Sequence, residues 1–238
     1  MKEVELNTPN QQDLISELKH AERTLRLIDE QDRPLAKLAL TIQLYYLDGA
    51  TPESKGQALK IIDQFKQKYA SHLKAQFAQH NRGFVKLTET SYQSFLKHAE
   101  QNIQANDDLF RYYLSSDESG ELADDYVIRF FTAYPDSEPA TEQDLQLSYA
   151  SITLPLSLIE TESGLQEYQQ WIDLLISTFS MHHGYAGLTL KTPYDRHPFQ
   201  SYEYDITHKY WGITPDGGGF SKHKWQMGLK SISWQTFI

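Results

Sequence analysis

The spacing of apolar residues switches along the chain between the periods of strands and of helices. Residues 38–46 alternate with a period of two, which predicts a strand with one buried face. Thr51-Pro52 is typical of a helix N-terminus, because Thr caps a first turn and Pro suits the first helical position. The apolar stripe after it predicts a helix that includes Phe77 and stops at Asn81-Arg82-Gly83. The clearest helical stripe comes later, at Leu165, Tyr168, Ile172, Leu175, Ile176 and Phe179.

Weaker patterns complete the secondary structure. Helices are predicted after Thr8-Pro9, over residues 90–105 and around residues 201–209, and strands at residues 84–87, 126–131, 147–158, 185–190 and 231–238. These elements are interspersed without a regular β-α-β repeat. The sequence therefore predicts an α+β fold, with a mixed or antiparallel sheet flanked by helices in a single compact domain with an N-terminal helix. We assign residues 1–23 to an N-terminal helical segment and residues 24–238 to the α+β domain.

The composition excludes several classes of protein. The 238 residues suffice for a sizeable core, and an aromatic content of 13% is too high for a disordered chain. The absence of Cys excludes disulfides, thiolate metal sites and a Cys nucleophile, and it fits a reducing compartment. No apolar run is long enough to span a bilayer, and the charged first residues carry no secretory signal. We therefore expect a cytoplasmic protein.

Acidic residues are concentrated in one part of the chain. The net charge is −10, and residues 101–173 contain 15 Asp or Glu against only Arg111 and Arg129. Such a segment attracts basic partners and repels nucleic acid and anionic membranes, although it also suits a merely solvated face. Within it, a short stretch with loop character is expected to be exposed and to bind a partner through Asp107, Asp108, Asp117, Glu118, Glu121, Asp124 and Asp125.

A second candidate surface is rich in aromatic residues. Residues 193–219 are also rich in Pro and Gly, so part of the aromatic set is expected to be exposed. Aromatic side chains dominate both protein cores and interface hot spots, and the sequence leaves both roles open. The partner-binding residues that we predict here are Tyr194, His197, Tyr202, Tyr204 and Trp211.

The common catalytic and cofactor motifs are missing. There is no Gly-x-Ser-x-Gly and no His-Glu-x-x-His, and the glycines at 217–219 before Lys222 do not form a phosphate-binding loop. The adjacent His182 and His183 have no ligand spacing with the other histidines, and we interpret them as a polar helix end. We predict no catalytic residue, no metal and no cofactor.

Three C-terminal motifs resemble the type VI immunity family. They are Gly184-Tyr185-Ala186-Gly187-Leu188, Tyr210-Trp211-Gly212-Ile213 and the terminal Trp234-Gln235-Thr236-Phe237 with its flanking residues. Ser233 and Gln235 differ from the usual Asn and Leu of the family. The order of elements from about residue 24 onward is also similar.

The resemblance implies a protein that binds and neutralises a cognate type VI secretion effector toxin without turnover. It supplies no catalytic residues, and it implies packing roles for Gly187 and Trp234. A cytoplasmic location favours a nuclease or a nucleotide-consuming toxin as the effector. The alternative is a small-molecule hydrolase or transferase with an unrecognised site, which would show a deep pocket with converging polar groups and shifted pKa values. The sequence does not fix the oligomeric state.

Overall fold

A ten-stranded, mostly antiparallel sheet forms the centre of the molecule. The computed structural model describes residues 11–103, 110–132, 147–210 and 212–216, and the backbone of residues 235–237. The strands are β1 Leu27–Ile28, β2 Pro34–Tyr46, β3 Ala75–Ala78, β4 Val85–Lys86, β5 Arg111–Ser115, β6 Val127–Phe131, β7 Ser148–Pro155, β8 Met181–Lys191, β9 Ile213–Pro215 and β10 Gln235–Phe237. Their order is β10-β8-β2-β7-β6-β5-β3-β4, with β1 beside β2 and β9 parallel to β8.

Five helices accompany the sheet in the described part of the chain. They are α1 Gln11–Thr24, α2 Pro52–Lys68, α3 Glu89–Ile103, α4 Glu162–Thr178 and α5 Gln200–Lys209, and short 3-10 helices span Leu156–Glu160 and His197–Phe199. The α+β fold with a mixed sheet and an N-terminal helix is thus confirmed. Thr8 and Pro9, which were expected to start α1, lie outside the described residues.

Helices α2, α3 and α4 cover one face of the sheet. The side chain of Thr51 accepts a hydrogen bond from the backbone N–H of Ser54, so the predicted cap of α2 is confirmed. Phe65 of α2 contacts Trp171 of α4, and Phe95 of α3 stacks on Tyr112 of β5 with ring centroids 3.6 Å apart. These aromatic contacts join the helices and the sheet in one continuous hydrophobic core.

The central strand β2 is buried on both faces. Its whole length from Leu38 to Tyr46 is buried, whereas the alternation of its residues predicted a single buried face. Leu38, Leu40 and other even-numbered residues point to the helices, while Thr41 and Gln43 point to the opposite face. On that second face the Gln43 amide donates to the Thr41 hydroxyl at 3.5 Å and accepts the Tyr45 hydroxyl at 3.2 Å.

Two boundaries predicted from periodicity are wrong. Helix α2 ends at Lys68, and Phe77 lies in β3, where it pairs with Tyr113 of β5. Helix α4 ends at Thr178, so His182 and His183 lie in β8 and do not form a helix end. In both places the residues beyond the helix pair with a neighbouring strand, which satisfies their backbone groups.

Candidate functional site

The second face of the sheet carries polar and aromatic side chains in ordered cross-strand rows. One row runs through Arg111, Phe131 and Tyr149 on β5, β6 and β7. The next row toward the centre holds Tyr113 and Arg129, whose guanidinium carbon lies 5.2 Å from the Tyr113 ring centroid. The 3-10 helix at His197–Phe199, helix α5 and strand β9 follow β8 and bring further charged residues to this face.

A buried charge cluster stands on this face. The Nζ atom of Lys191 is 3.0 Å from Oδ1 of Asp124 and 3.0 Å from Oδ2 of Asp216. Arg129 donates from one nitrogen to both carboxylate oxygens of Asp216, at 2.6 and 2.8 Å. Glu203 of α5 accepts the backbone N–H of Asp216 at 2.7 Å. The cluster therefore connects several parts of the fold: β6, β8, α5, the residue after β9 and the loop that carries Asp124.

The electrostatics of the cluster keep Asp216 and Lys191 ionised. Burial raises the pKa of Asp216, but Arg129 and Lys191 lower it by more, so the net pKa is about 2. Burial lowers the pKa of Lys191, and the carboxylates of Asp124 and Asp216 raise it by more, to a value above the usual one. Burial also raises the pKa of Tyr113. All three shifts move titration away from neutral pH.

The loop between β5 and β6, residues 116–126, is here called the acidic loop. Oδ2 of Asp117 accepts backbone N–H bonds from Gly120 at 2.6 Å and Glu121 at 3.0 Å, so this carboxylate shapes the loop from within. Asp124 is only 5% exposed and also accepts the Ser115 hydroxyl at 2.6 Å. The expectation that Asp124 is exposed is therefore wrong, because Lys191 compensates its burial.

Three carboxylates of the acidic loop face the solvent. Glu118, Glu121 and Asp125 are exposed, and Asp125 forms an ion pair with Lys37 of β2. Within the described part of the chain, no base pairs with Glu118 or Glu121. These two carboxylates are available to a partner, whereas Asp117 and Asp124 hold the loop in place.

The acidic loop directly contacts the aromatic-rich residues 193–210, called the aromatic segment below. The backbone N–H of Tyr194 donates to the carbonyl oxygen of Gly120 at 2.9 Å, and the Tyr194 ring packs edge-on against Tyr113 and Phe84. Gly120 has a φ of +78°, and a Cβ atom there would lie 2.3 Å from Phe84. The two candidate surfaces that are far apart in sequence are thus neighbours.

The other predicted residues are placed less uniformly. Tyr204 is 60% exposed and His197 is exposed, whereas Tyr202 is partly buried and its hydroxyl donates to the carbonyl of Leu25 at 3.3 Å. Asp107, Asp108 and Trp211 lie outside the described residues, as does Trp234. Partner binding by these residues stays a prediction.

An open groove of about 1350 Å³ lies beside the cluster. Arg111, Phe131 and Tyr149 lie along its sheet side, and Tyr194, Arg196, His197 and residues of α5 lie along the other. Neither this groove nor the charge cluster beneath it was predicted from the sequence. A signal was present, since Arg111 and Arg129 are the two bases of the acidic segment and both line the groove.

Across the described ranges, no group of three or more His, Asp or Glu side chains could hold a metal ion. None of the helices in those ranges combines the length and apolar character needed to cross a bilayer.

Comparison with known proteins identifies the class. A family model described as TsiV, type VI immunity for VRR-NUC, matches residues 58–238, which is most of the chain. The chain is a type VI immunity protein. It belongs to the TsiV family, and the resemblance seen in its C-terminal motifs is confirmed. A search of curated protein sequences found no match.

A solved structure supports the fold independently. The Pseudomonas aeruginosa T6SS protein PA0821 superimposes with a TM-score of 0.64 at 19% sequence identity. The similarity covers 86% of this chain and 58% of that one, so this chain spans little more than half of that protein's length. At this identity the likeness shows a shared fold.

Proposed function

We propose that this chain neutralises a VRR-NUC nuclease effector by stoichiometric binding, with the acidic loop occupying the basic surface through which the nuclease holds nucleic acid. The observation that carries the proposal is the pair of exposed carboxylates, Glu118 and Glu121, on a loop of a type VI immunity protein. A nuclease must present Lys and Arg to phosphate, so a rigid acidic loop competes for the same charges.

The construction of the loop suits this role. The carboxylate of Asp117 organises the loop by accepting hydrogen bonds from backbone N–H groups of loop residues. The ion pair of Asp124 with Lys191 attaches one end of the loop to the sheet. A preorganised loop loses little conformational entropy on binding, so more of the interaction energy appears as affinity. We expect a complex with a nanomolar or lower Kd, which corresponds to about −12 kcal/mol or a more favourable value.

The buried charges suit a binding protein better than an enzyme. The alternative reading, a hydrolase or transferase, gains some support from the groove and its converging polar groups. A general acid or base needs a pKa near the working pH, whereas the shifts at Asp216, Lys191 and Tyr113 all point away from it. The cations and carboxylates of the cluster also neutralise one another.

The test neutralises the two free carboxylates. The variant Glu118→Gln/Glu121→Gln should associate with the effector roughly threefold to tenfold more slowly at low salt, and its association rate should depend less on salt. The matched control is Glu17→Gln/Glu100→Gln, which removes two exposed carboxylates from α1 and α3. An unchanged association rate in the loop variant would assign the contact to the aromatic segment.

We also propose that the protein acts in the cytoplasm, where nucleic acid is the target of a nuclease. The absence of Cys supports this location, because it fits a reducing compartment. Cell fractionation with compartment markers checks it, and recovery of the native protein from the periplasm would contradict it.

A further inference from the structure

The groove presents an exposed cation, Arg111, close to the acidic loop. Arg111 is exposed at one side, and its guanidinium carbon lies 5.8 Å from the centroid of the Phe131 ring. Phe131 stacks on Tyr149 with ring centroids 5.5 Å apart and an interplanar angle of 17°. An Arg and two aromatic rings in a cross-strand row form the composition that protein interfaces use for their strongest contacts.

The charges inside the groove are not equally available. Arg129 is committed to Asp216, and Arg196 donates to the backbone carbonyl of Asp216. Arg111 has no carboxylate partner among the described residues, and His197 is also exposed. Asp195 is the exposed acid of the groove, and one of its oxygens accepts the backbone N–H of His197 at 3.2 Å. Arg111 is therefore the exposed cation of the groove that is available to an anionic group.

We propose that this groove receives an acidic segment of the effector, with an Asp or Glu carboxylate on the guanidinium of Arg111 and apolar contact on Phe131 and Tyr149. The inference rests on the proposed function and gives it a second contact of opposite sign. Planar guanidinium groups bind carboxylates through two parallel hydrogen bonds, which gives Arg111 a geometric as well as a charge preference.

A polypeptide fits the groove better than a nucleic acid does. The net charge is −10, and the acidic loop adjoins the groove through Tyr194. The loop would repel a phosphate backbone that approached the groove, whereas a protein surface can place basic and acidic groups side by side. Two contacts of opposite charge also fix the orientation of the bound effector, because a reversed arrangement juxtaposes like charges.

The experiment reverses the charge of Arg111. Binding of the catalytically inactive VRR-NUC effector is measured by surface plasmon resonance for the wild type, Arg111→Gln and Arg111→Glu. We expect Kd to rise at least tenfold in Arg111→Glu, mainly through faster dissociation, and less in Arg111→Gln. The control is Lys60→Glu, which reverses an exposed charge on α2 at the helical face and should change Kd by less than twofold. Circular dichroism and Tm verify that each variant is folded.

The outcomes separate this inference from the proposed function. If the wild type binds the effector and Arg111→Glu binds equally well, the groove is not a contact, although the immunity role stands. If the wild type forms no complex, the proposed function itself is wrong. Binding of a single-stranded oligonucleotide that is lost in Arg111→Glu would overturn the inference in favour of a nucleic-acid groove. Effector mutants selected to restore neutralisation by Arg111→Glu should carry Asp or Glu replaced by Lys or Arg.

Discussion

Replacing Lys191 with Met tests whether the buried charge cluster holds the acidic loop in place. Lys191 is fully buried, and its ammonium group lies 3.0 Å from both Asp124 and Asp216. Met has a similar length and no charge. In the variant Asp216 keeps Arg129 as a partner, whereas Asp124 becomes a buried carboxylate without a cation.

The expected loss follows from that stranded charge. Removing one partner of a buried ion pair costs about 3–5 kcal/mol, since the remaining charge stays desolvated. For a chain of this size such a loss lowers Tm by roughly 6–20 °C. The double variant Lys191→Met/Asp124→Asn should recover part of the loss, because the amide carries no charge and still accepts the Ser115 hydroxyl.

Urea denaturation followed by fluorescence of the four Trp residues measures the free energy of unfolding. The difference in this free energy between the wild type and Lys191→Met at pH 7 gives the cost of the stranded charge. Lys60→Met, at an exposed position on α2, is the control and should change stability by about 0.5 kcal/mol or less. A loss below about 1 kcal/mol would refute the reasoning.

Three further predictions concern stability. Gly120→Ala should lower the free energy of unfolding by about 1–3 kcal/mol, because φ at this position is positive and the added Cβ would meet Phe84. Gly56→Ala in α2, where the added Cβ has open space, should raise the free energy of unfolding by up to about 1 kcal/mol. Thermal melts compare the two variants. Thr51→Ala should cost about 1 kcal/mol in urea titrations through loss of the α2 cap, and no change would argue against the cap. The pKa of Asp216 is lowered to about 2 in the folded protein, so its ionised form stabilises the fold by roughly 2 kcal/mol at any pH well above the ordinary Asp pKa. This stabilisation is lost as the pH falls toward about 2. Asp216→Asn should therefore remove this part of the dependence of stability on acid pH.

Local patterns predicted the elements whose interactions are local. Helix α4 was found because its apolar stripe has the helical period, and α2 because Thr51-Pro52 caps it. Strand β5 was missed, since Ser115-Ser116 reads as the start of a polar loop, and Ser115 is in fact buried in the sheet. Strand β5 is stabilised by β3 and β6, which form hydrogen bonds with its backbone N–H and C=O groups. The local sequence pattern does not reveal these neighbours.

The sequence indicated the exposed parts of the candidate site but not its buried charge cluster. The concentration of acids located the exposed loop, and composition located the aromatic segment beside it. The charge cluster joins Arg129 with Asp216 and Lys191 with Asp124, and these partners are far apart in sequence. Lys191 reads as an ordinary surface lysine at the end of a strand. Pairings of this kind follow from the topology of the sheet, which periodicity does not encode.

The position of β2 at the centre of the sheet has a consequence for the synthesis of the protein. Leu40 pairs with Leu154 on one side and Leu188 on the other, so both neighbours are translated more than a hundred residues after it. At about 5–20 residues per second, the ribosome needs several seconds or more to deliver them. Until then the part of β2 from Leu38 to Tyr46 has no strand paired on either edge, and such nonlocal pairings also form slowly. Protection against an incoming toxin therefore depends on a pool of finished molecules, because a newly induced message gives a folded inhibitor only after most of the chain has been made.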